Sequence, residues 1–197
     1  MKSVVLLSGG IDSTVALALT HADVALSFDY GQTHWRELGA AERIANHYGA
    51  VHHVLSIKGL VGPSSLTGVD AIPETHATEP DATEVPGRNL VMISVAVAFA
   101  QTWGYECVVI GANADDRAGY PDCRPEFITA LDDATRAGYC VGVWAPLLKM
   151  SKRDIVERGR QLGIPFDLTW SCYRGGNEPC NRCGACQSRN EAMQCPT

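Results

Sequence analysis

Ser8-Gly9-Gly10-Ile11-Asp12-Ser13 stands between an apolar run, Val4-Val5-Leu6-Leu7, and a helix-like run, Thr14-Val15-Ala16-Leu17-Ala18-Leu19. A strand, a glycine turn and a helix start therefore follow one another directly. Adjacent glycines let backbone N–H groups come close to an anion, and the following helix aims its positive dipole end at the same point. The stretch predicts a cradle for phosphate or pyrophosphate.

Two other glycine motifs do not fit. A P-loop needs a lysine after its last glycine, and none follows Gly10. The dinucleotide fingerprint needs three spaced glycines, and only Gly9 and Gly10 are present. The pattern S-G-G-x-D-S instead resembles the pyrophosphate loop of the N-type ATP pyrophosphatases, which cleave ATP between the α- and β-phosphates. That resemblance implies ATP contacts from Leu7, Ser8, Gly9, Gly10, Ile11, Asp12, Ser13 and Thr14, with Asp12 and Ser13 as the catalytic pair. Asp12 is a suitable carboxylate for the magnesium that accompanies ATP.

Outward from the loop, apolar runs alternate with helical periodicity. Residues 24–28 read as a second buried strand. Trp35, Leu38, Ala41, Ile44, Ala45 and Tyr48 recur at helical spacing, and residues 51–57 read as a third strand. An apolar helix over 90–103, a strand over 107–111, a helix from Pro125 to about Ala137 and a strand over 141–145 continue the series. Ser151-Lys152-Arg153-Asp154 has the S-x-x-D capping pattern of a helix that stops near Gly163. Such alternation predicts an α/β fold: a Rossmann-like parallel five-stranded sheet with helices on both faces, spanning residues 1–166.

Residues 59–87 lack periodicity, contain Pro63, Pro73, Pro80 and Pro86, and exceed an ordinary connection in length. They read as a lid over the site or a disordered loop. Just beyond them, Asn89 reads as a helix cap, whereas Arg88 is placed to hold a phosphate or carboxylate. The exit of the fourth strand carries Asn113, Asp115, Asp116 and Arg117, then Gly119-Tyr120-Pro121-Asp122-Cys123-Arg124. Ligands of open α/β sheets bind outside the carboxyl ends of the strands, so this cluster should share a crevice with the glycine loop. An aromatic ring, carboxylates and an arginine suit a planar, hydrogen-bonding heterocycle.

Other polar residues read more plainly. Cys123 reads as a buried thiol rather than a nucleophile, Asp132 and Asp133 as a solvated helix face, and His52 and His53 as strand residues rather than metal ligands. Lys149, Lys152 and Arg153 fit either phosphate binding or a basic surface patch.

Residues 167–197 contain Cys172, Cys180, Cys183 and Cys186, spaced C-x7-C-x2-C-x2-C. Four thiolates in a short segment poor in apolar residues match a structural zinc site whose metal supplies folding free energy. An iron–sulfur cluster is the main rival, with Cys195-Pro196 as its end, but the gap from Cys186 to Cys195 is too long for the ferredoxin pattern. Cys107, Cys140 and Cys195 are left over and read as inert. A net charge of −6 argues against a broad nucleic-acid face, and no apolar run is long enough to span a membrane. The first residues are strand-like and carry the loop, so a cytoplasmic protein without a signal peptide is expected.

Taken together, SGGIDS, FDYGQTH (28–34), VPGRN (85–89), GYPDCRPEF (119–127) and the SCYRGG and PCNRCGAC segments (171–186) resemble the QueC family of the queuosine and deazapurine pathway. The resemblance runs nearly end to end. It implies an ATP-dependent ligase that turns 7-carboxy-7-deazaguanine and ammonia into 7-cyano-7-deazaguanine, through an adenylated acid and an adenylated amide. It further implies substrate contacts at Arg88, Asn89, Asp116, Tyr120, Asp122 and Arg124, a structural Zn2+, Mg2+ with the ATP, and a homodimer without direct nucleic-acid contact. The alternatives are another pyrophosphate-loop enzyme, such as a tRNA sulfur transferase or a deazaguanine-to-protein ligase, and a non-catalytic nucleotide-binding zinc module. Ala114 stands where the family has a glutamate and Arg117 where it has an aromatic residue, departures that bear on substrate contacts.

Overall fold

A computed structural model describes residues 1–68, 70–74 and 83–194. Pro80 of the expected lid, and Cys195 and Pro196, lie outside them. Five strands, β1 (Ser3–Leu6), β2 (Val24–Asp29), β3 (Val51–Ser56), β4 (Cys107–Val109) and β5 (Gly142–Trp144), form one sheet in the order β3-β2-β1-β4-β5. Every pairing is parallel, with Val4 opposite Val24 on one side and Val108 on the other. The helices are α1 (Ile11–Thr20), α2 (Arg36–Tyr48), α3 (Arg88–Trp103), α4 (Pro125–Tyr139), α5 (Lys152–Gln161) and α6 (Gly184–Met193).

Right-handed crossovers decide which helix covers which face. The chain steps outward from β1 through β2 to β3, placing α1 and α2 on one face. It then crosses back to β4 and β5, placing α3 and α4 on the other. Strand side chains alternate between the two cores. Val4, Val24, Leu26 and Val108 pack with Ile93 and Val97 of α3, while Val5, Ala25 and Val109 pack with Val15 of α1 and Ile44 of α2. Ile155 of α5 and Ala192 of α6 complete the second core, so the cysteine segment is docked on the sheet domain. Among the described residues, no helix is long and apolar enough to cross a membrane.

Local differences from the sequence reading have local causes. Helix α3 begins at Arg88 with Gly87 at its N-cap, so Asn89 lies inside the first turn and does not cap it. Trp35 precedes α2 and is 63% exposed instead of joining the buried stripe. Asp132 is not simply solvated, because its carboxylate accepts the Val143 N–H at 2.6 Å and pairs with Arg136 at 2.9 Å, tying α4 to β5. The capping box forms as read: the Asp154 N–H donates to Ser151 Oγ, and Asp154 Oδ2 accepts the Ser151 N–H. Both strand histidines are used locally, His52 on Ser27 Oγ at 2.7 Å and His53 against the Phe99 ring at 5.4 Å.

Candidate active site

At the carboxyl edge of β1 the chain turns through Ser8, Gly9 and Gly10 into α1. Gly9 has φ +82°, and a Cβ there would strike the Glu37 carbonyl oxygen and come within 2.8 Å of Ala41 N. The loop thus lies directly on α2. Gly10 has a negative φ and faces more open space, its nearest neighbour to an added Cβ being Ser8 Oγ at 3.4 Å. Hydroxyls brace the turn from inside: Ser13 Oγ accepts the Ser8 N–H and donates to the Gly10 carbonyl, each at 3.2 Å, while Thr14 Oγ1 donates to the same carbonyl at 2.7 Å. Across the loop, a Cβ on Gly111 would lie 3.0 Å from Ser13 N, so α1 starts against the exit of β4. The first-turn N–H groups of α1, at Ile11, Asp12 and Ser13, have no intrahelical acceptor and form the anion cradle.

Over this cradle lies a two-chambered cleft at the point where the strand order reverses, the expected ligand position in an open parallel sheet. The inner chamber, about 280 Å³, has apolar walls from Leu26, Phe28, Met92 and Ile110. The outer one, about 470 Å³, is bounded by Asn113, Gly119, Trp170, Ser171 and Ala185. Ser8, Asp12, Glu37, Asp116, Tyr120, Lys152 and Tyr173 line both. Ile72, Pro73 and Thr83, from the described part of the 59–87 connection, also border the outer chamber.

Its charges are few and mutually dependent. Lys152 Nζ donates to Asp12 Oδ2, and both side chains are about one-fifth exposed. Burial works against the Lys152 ammonium, but Asp12 and Asp116 beside it outweigh that and raise its pKa. Asp12 Oδ1 is buried without a hydrogen-bond partner among the described residues, an unused ligand atom of the kind a magnesium ion takes up. The residues present therefore fit magnesium. Burial pushes the Asp116 carboxyl up to about 6, although its Oδ2 accepts the Asn113 amide at 2.7 Å. Arg88 donates to Tyr30 Oη at 3.0 Å and lies over the same ring. The Cys123 thiol is raised by burial to about 12, so it stays protonated at neutral pH.

Most of the residues singled out in the sequence meet here. Leu7, Ser8, Asp12 and Ser13 line the inner chamber, and Gly10 and Ile11 line the outer. Gly9 and Thr14 line neither, since one packs on α2 and the other braces the turn. Arg88, Asn89, Asp116, Tyr120 and Asp122 all reach the inner chamber. Asp122 Oδ2 also accepts the Asn89 N–H at 3.2 Å, locking the start of α3. Arg124 is the exception: it is exposed, lines neither chamber, and gives its Nε to the Arg117 carbonyl at 3.3 Å. Conversely, Lys152 is a wall of the cleft rather than a surface patch, and Tyr30, His34, Glu37 and Tyr173 line it without having been marked as site residues. The FDYGQTH segment was the available signal for Tyr30 and His34.

The four cysteines converge. Their sulfurs all lie within 4.8 Å of one another, and Cys172, Cys183 and Cys186 are buried. Tetrahedral zinc with bonds near 2.3 Å would hold its sulfurs about 3.8 Å apart, a small contraction from this arrangement. Backbone N–H groups of Cys180 and Cys183 point at Cys172 Sγ and Cys180 Sγ, at 3.4 and 3.3 Å. Tyr173, next in sequence to Cys172, is a wall of both chambers, so the cysteine cluster lies beside one side of the cleft.

A family model described as queuosine biosynthesis protein QueC matches residues 2–196. A 7-cyano-7-deazaguanine synthase from Synechococcus sp. strain CC9605 is 44% identical, covering 98% of this chain and 92% of that protein. One of the same name from Thermoplasma acidophilum is 40% identical, covering 95% of this chain and 85% of its own. Among solved structures, the chain is similar to an NMN synthetase from Francisella tularensis (TM-score 0.58, 19% identity, 91% of this chain and 70% of that one). It is similar also to the U34-tRNA thiolase NcsA from Methanococcus maripaludis with its [4Fe-4S] cluster (TM-score 0.57, 19% identity, 98% and 64%). At these identities the structural likenesses speak for the fold.

Proposed function

The chain belongs to the QueC family of queuosine biosynthesis proteins, and from that premise we propose that it converts 7-carboxy-7-deazaguanine and ammonia into 7-cyano-7-deazaguanine in an ATP-dependent reaction. The observation that carries this reading is the convergence of Asp12 and Lys152, at the mouth of the glycine turn, with Arg88 and Asp116 in one cleft. An anion cradle alone would suit any nucleotide. A cradle that opens onto an apolar chamber with buried charged groups suits a flat heteroaromatic acid beside the α-phosphate of ATP.

A carboxylate in water is inert to ammonia and needs a leaving group. Its oxygen attacks the α-phosphorus, pyrophosphate departs, and ammonia displaces AMP to give an amide. The amide oxygen then attacks a second α-phosphorus, and loss of AMP leaves the nitrile. Both adenylations present an oxygen to the same phosphorus, so one site serves both. The N–H groups of Ile11, Asp12 and Ser13 receive the leaving pyrophosphate, and Lys152 offsets its charge. Asp12 would hold magnesium, which when bound neutralises phosphate charge. Phe28, Met92 and Ile110 enclose the ring, Arg88 holds the carboxylate, and Asp116, Tyr120 and Asp122 offer hydrogen bonds. Enclosure keeps water from the adenylates.

In this reading Cys172, Cys180, Cys183 and Cys186 hold one structural zinc ion. A single ion gathers four thiolates into one shell, as their closeness suits, whereas a four-iron cluster spreads them over four metal atoms. The enzyme would be a cytoplasmic homodimer that acts on small molecules. Sulfur transfer to tRNA is the weaker alternative, because Cys123, the thiol in the inner chamber, is held protonated.

Incubation with 7-carboxy-7-deazaguanine, ATP, magnesium and ammonium, followed by mass spectrometry, tests the reading. The nitrile and AMP are expected. A product that stops at the amide, or no product, would overturn it.

A further inference from the structure

The segment Phe28-Asp29-Tyr30-Gly31-Gln32-Thr33-His34 leaves β2 beside the cleft, and the adenylation chemistry does not account for its histidine. His34 is only 3% exposed, yet it lines the inner chamber. Its Nε2 lies 3.1 Å from Glu37 Oε2, and Glu37 Oε1 is fixed by the Gln32 amide at 2.9 Å. Gln32 is fixed in turn, accepting the Tyr30 N–H at 2.9 Å and donating to the Phe28 carbonyl at 3.0 Å. An ionised carboxylate only accepts, so it holds the ring proton on Nε2 and turns Nδ1 into a lone pair. That Nδ1 is buried and has no hydrogen-bond partner among the described residues. A buried histidine with a purely structural role would be expected to satisfy both nitrogens.

On the ligase reading above, the nucleophile must shed protons inside this chamber. We propose that His34, oriented by Glu37, is the general base that accepts the N–H protons of the ammonia-derived nitrogen. The C–N bond forms as nitrogen attacks the acyl-adenylate carbon, a proton passes from nitrogen to Nδ1, and the C–O bond to AMP breaks with AMP keeping the electron pair. In the second half the amide nitrogen gives up its two remaining protons. One leaves as the amide oxygen attacks phosphorus and pyrophosphate departs, and the other as AMP departs with that oxygen. Glu37 also lines the outer chamber, so protons taken at His34 have a carboxylate relay toward solvent. The charged and titratable groups around the ring are Glu37 of α2, Tyr30 at 3.4 Å from Nε2, Arg88 of α3 behind Tyr30, and Tyr173 with ring centroids 5.5 Å apart. A carboxylate that fixes an imidazole through one nitrogen and leaves the other as a proton acceptor is the arrangement general-base histidines use elsewhere.

The test separates the two half-reactions on the full chain. Pyrophosphate exchange into ATP, driven by 7-carboxy-7-deazaguanine without ammonium, reports adenylation alone. Amide and nitrile formation with ammonium reports nitrogen chemistry. For His34→Asn, exchange should stay within about 2-fold of the unaltered protein while product formation falls about 100-fold or more. Hydroxylamine, whose adduct is acidic enough to lose its proton to water, should restore turnover as the hydroxamate. Glu37→Gln should show the same split with a smaller loss. Unchanged ammonium-dependent turnover in His34→Asn overturns the proposal, as does a parallel fall of exchange and product, which marks a structural role. Absence of exchange in the unaltered protein overturns the ligase reading and the proposal with it.

Discussion

Lys152 Nζ donates to Asp12 Oδ2 although 140 residues separate them. The glycine turn lacks the lysine that a P-loop carries within itself, and the first residue of α5 brings one to the same place. In this structure Lys152 is the counter-ion of Asp12. With magnesium on Asp12, it would be free to meet the pyrophosphate. Lys152→Met should therefore leave the fold intact and lower AMP release at saturating magnesium–ATP by about 10²–10³-fold. Lys152→Arg should restore little of this, because a planar fork does not replace a compact ammonium in a confined site. Near-normal turnover by Lys152→Met would assign the pair to stability alone.

Asp116 makes stability depend on pH in an unusual direction. Burial raises its carboxyl from 3.8 to about 6. Between those values the folded chain keeps a proton that the unfolded chain has released, so stability contributed at this site falls as pH rises through the window. Asp116→Asn should thus be more stable than the parent by about 3 kcal/mol above pH 7, with the difference vanishing below pH 4. Urea melts at several pH values measure it. An equal shift at every pH would mean that the amide simply packs better.

The fold was legible because its inner strands are buried on both faces and read as apolar runs: Val4-Val5 and Cys107-Val108-Val109 have no polar residue to hide. Glycine spacing and cysteine spacing were legible because backbone reach and metal geometry act over a few residues. The dyad of His34 and Glu37 was not, since its meaning lies in a buried Nδ1 left without a partner among the described residues, which appears only once Gln32 fixes Glu37 and Tyr173 packs on the imidazole. Lys152 could have been found, as its capping box places it at the start of a helix after the last strand. Arg124 shows the converse limit: membership of a dense polar motif does not say which way a side chain leaves the loop.

The cysteine cluster should hold about one zinc ion per chain and no iron, measured by elemental analysis. Its removal should reach the cleft. Trp170 Nε1 donates to the Cys172 carbonyl at 2.9 Å, and the Trp170 N–H donates to the Gly9 carbonyl at 2.8 Å, so the cysteine segment is bonded to the glycine turn. A strong chelator should lower the melting temperature and weaken ATP binding together. Loss of zinc without loss of ATP affinity would separate the two.

Gly9 and Gly10 are neighbours with opposite duties, and alanine at each should tell them apart. At Gly9, φ is +82° and an added Cβ meets backbone atoms of α2, with Ala41 N only 2.8 Å away, so neither a rotamer nor a side-chain shift relieves it. Gly9→Ala should cost about 2 kcal/mol or more in stability, from strain and overlap together. At Gly10, φ is −80°, an angle any residue adopts, and the nearest atom to an added Cβ is Ser8 Oγ at 3.4 Å. Gly10→Ala should therefore keep the parent's melting temperature. It lines the outer chamber, however, at the point where backbone N–H groups must come close to phosphate oxygen, and a methyl group there holds the anion off. Weakened ATP binding with unchanged stability is expected for Gly10→Ala, and lowered stability for Gly9→Ala. If Gly10→Ala bound ATP as the parent does, the phosphates would have to approach from the Asp12 side of the turn alone.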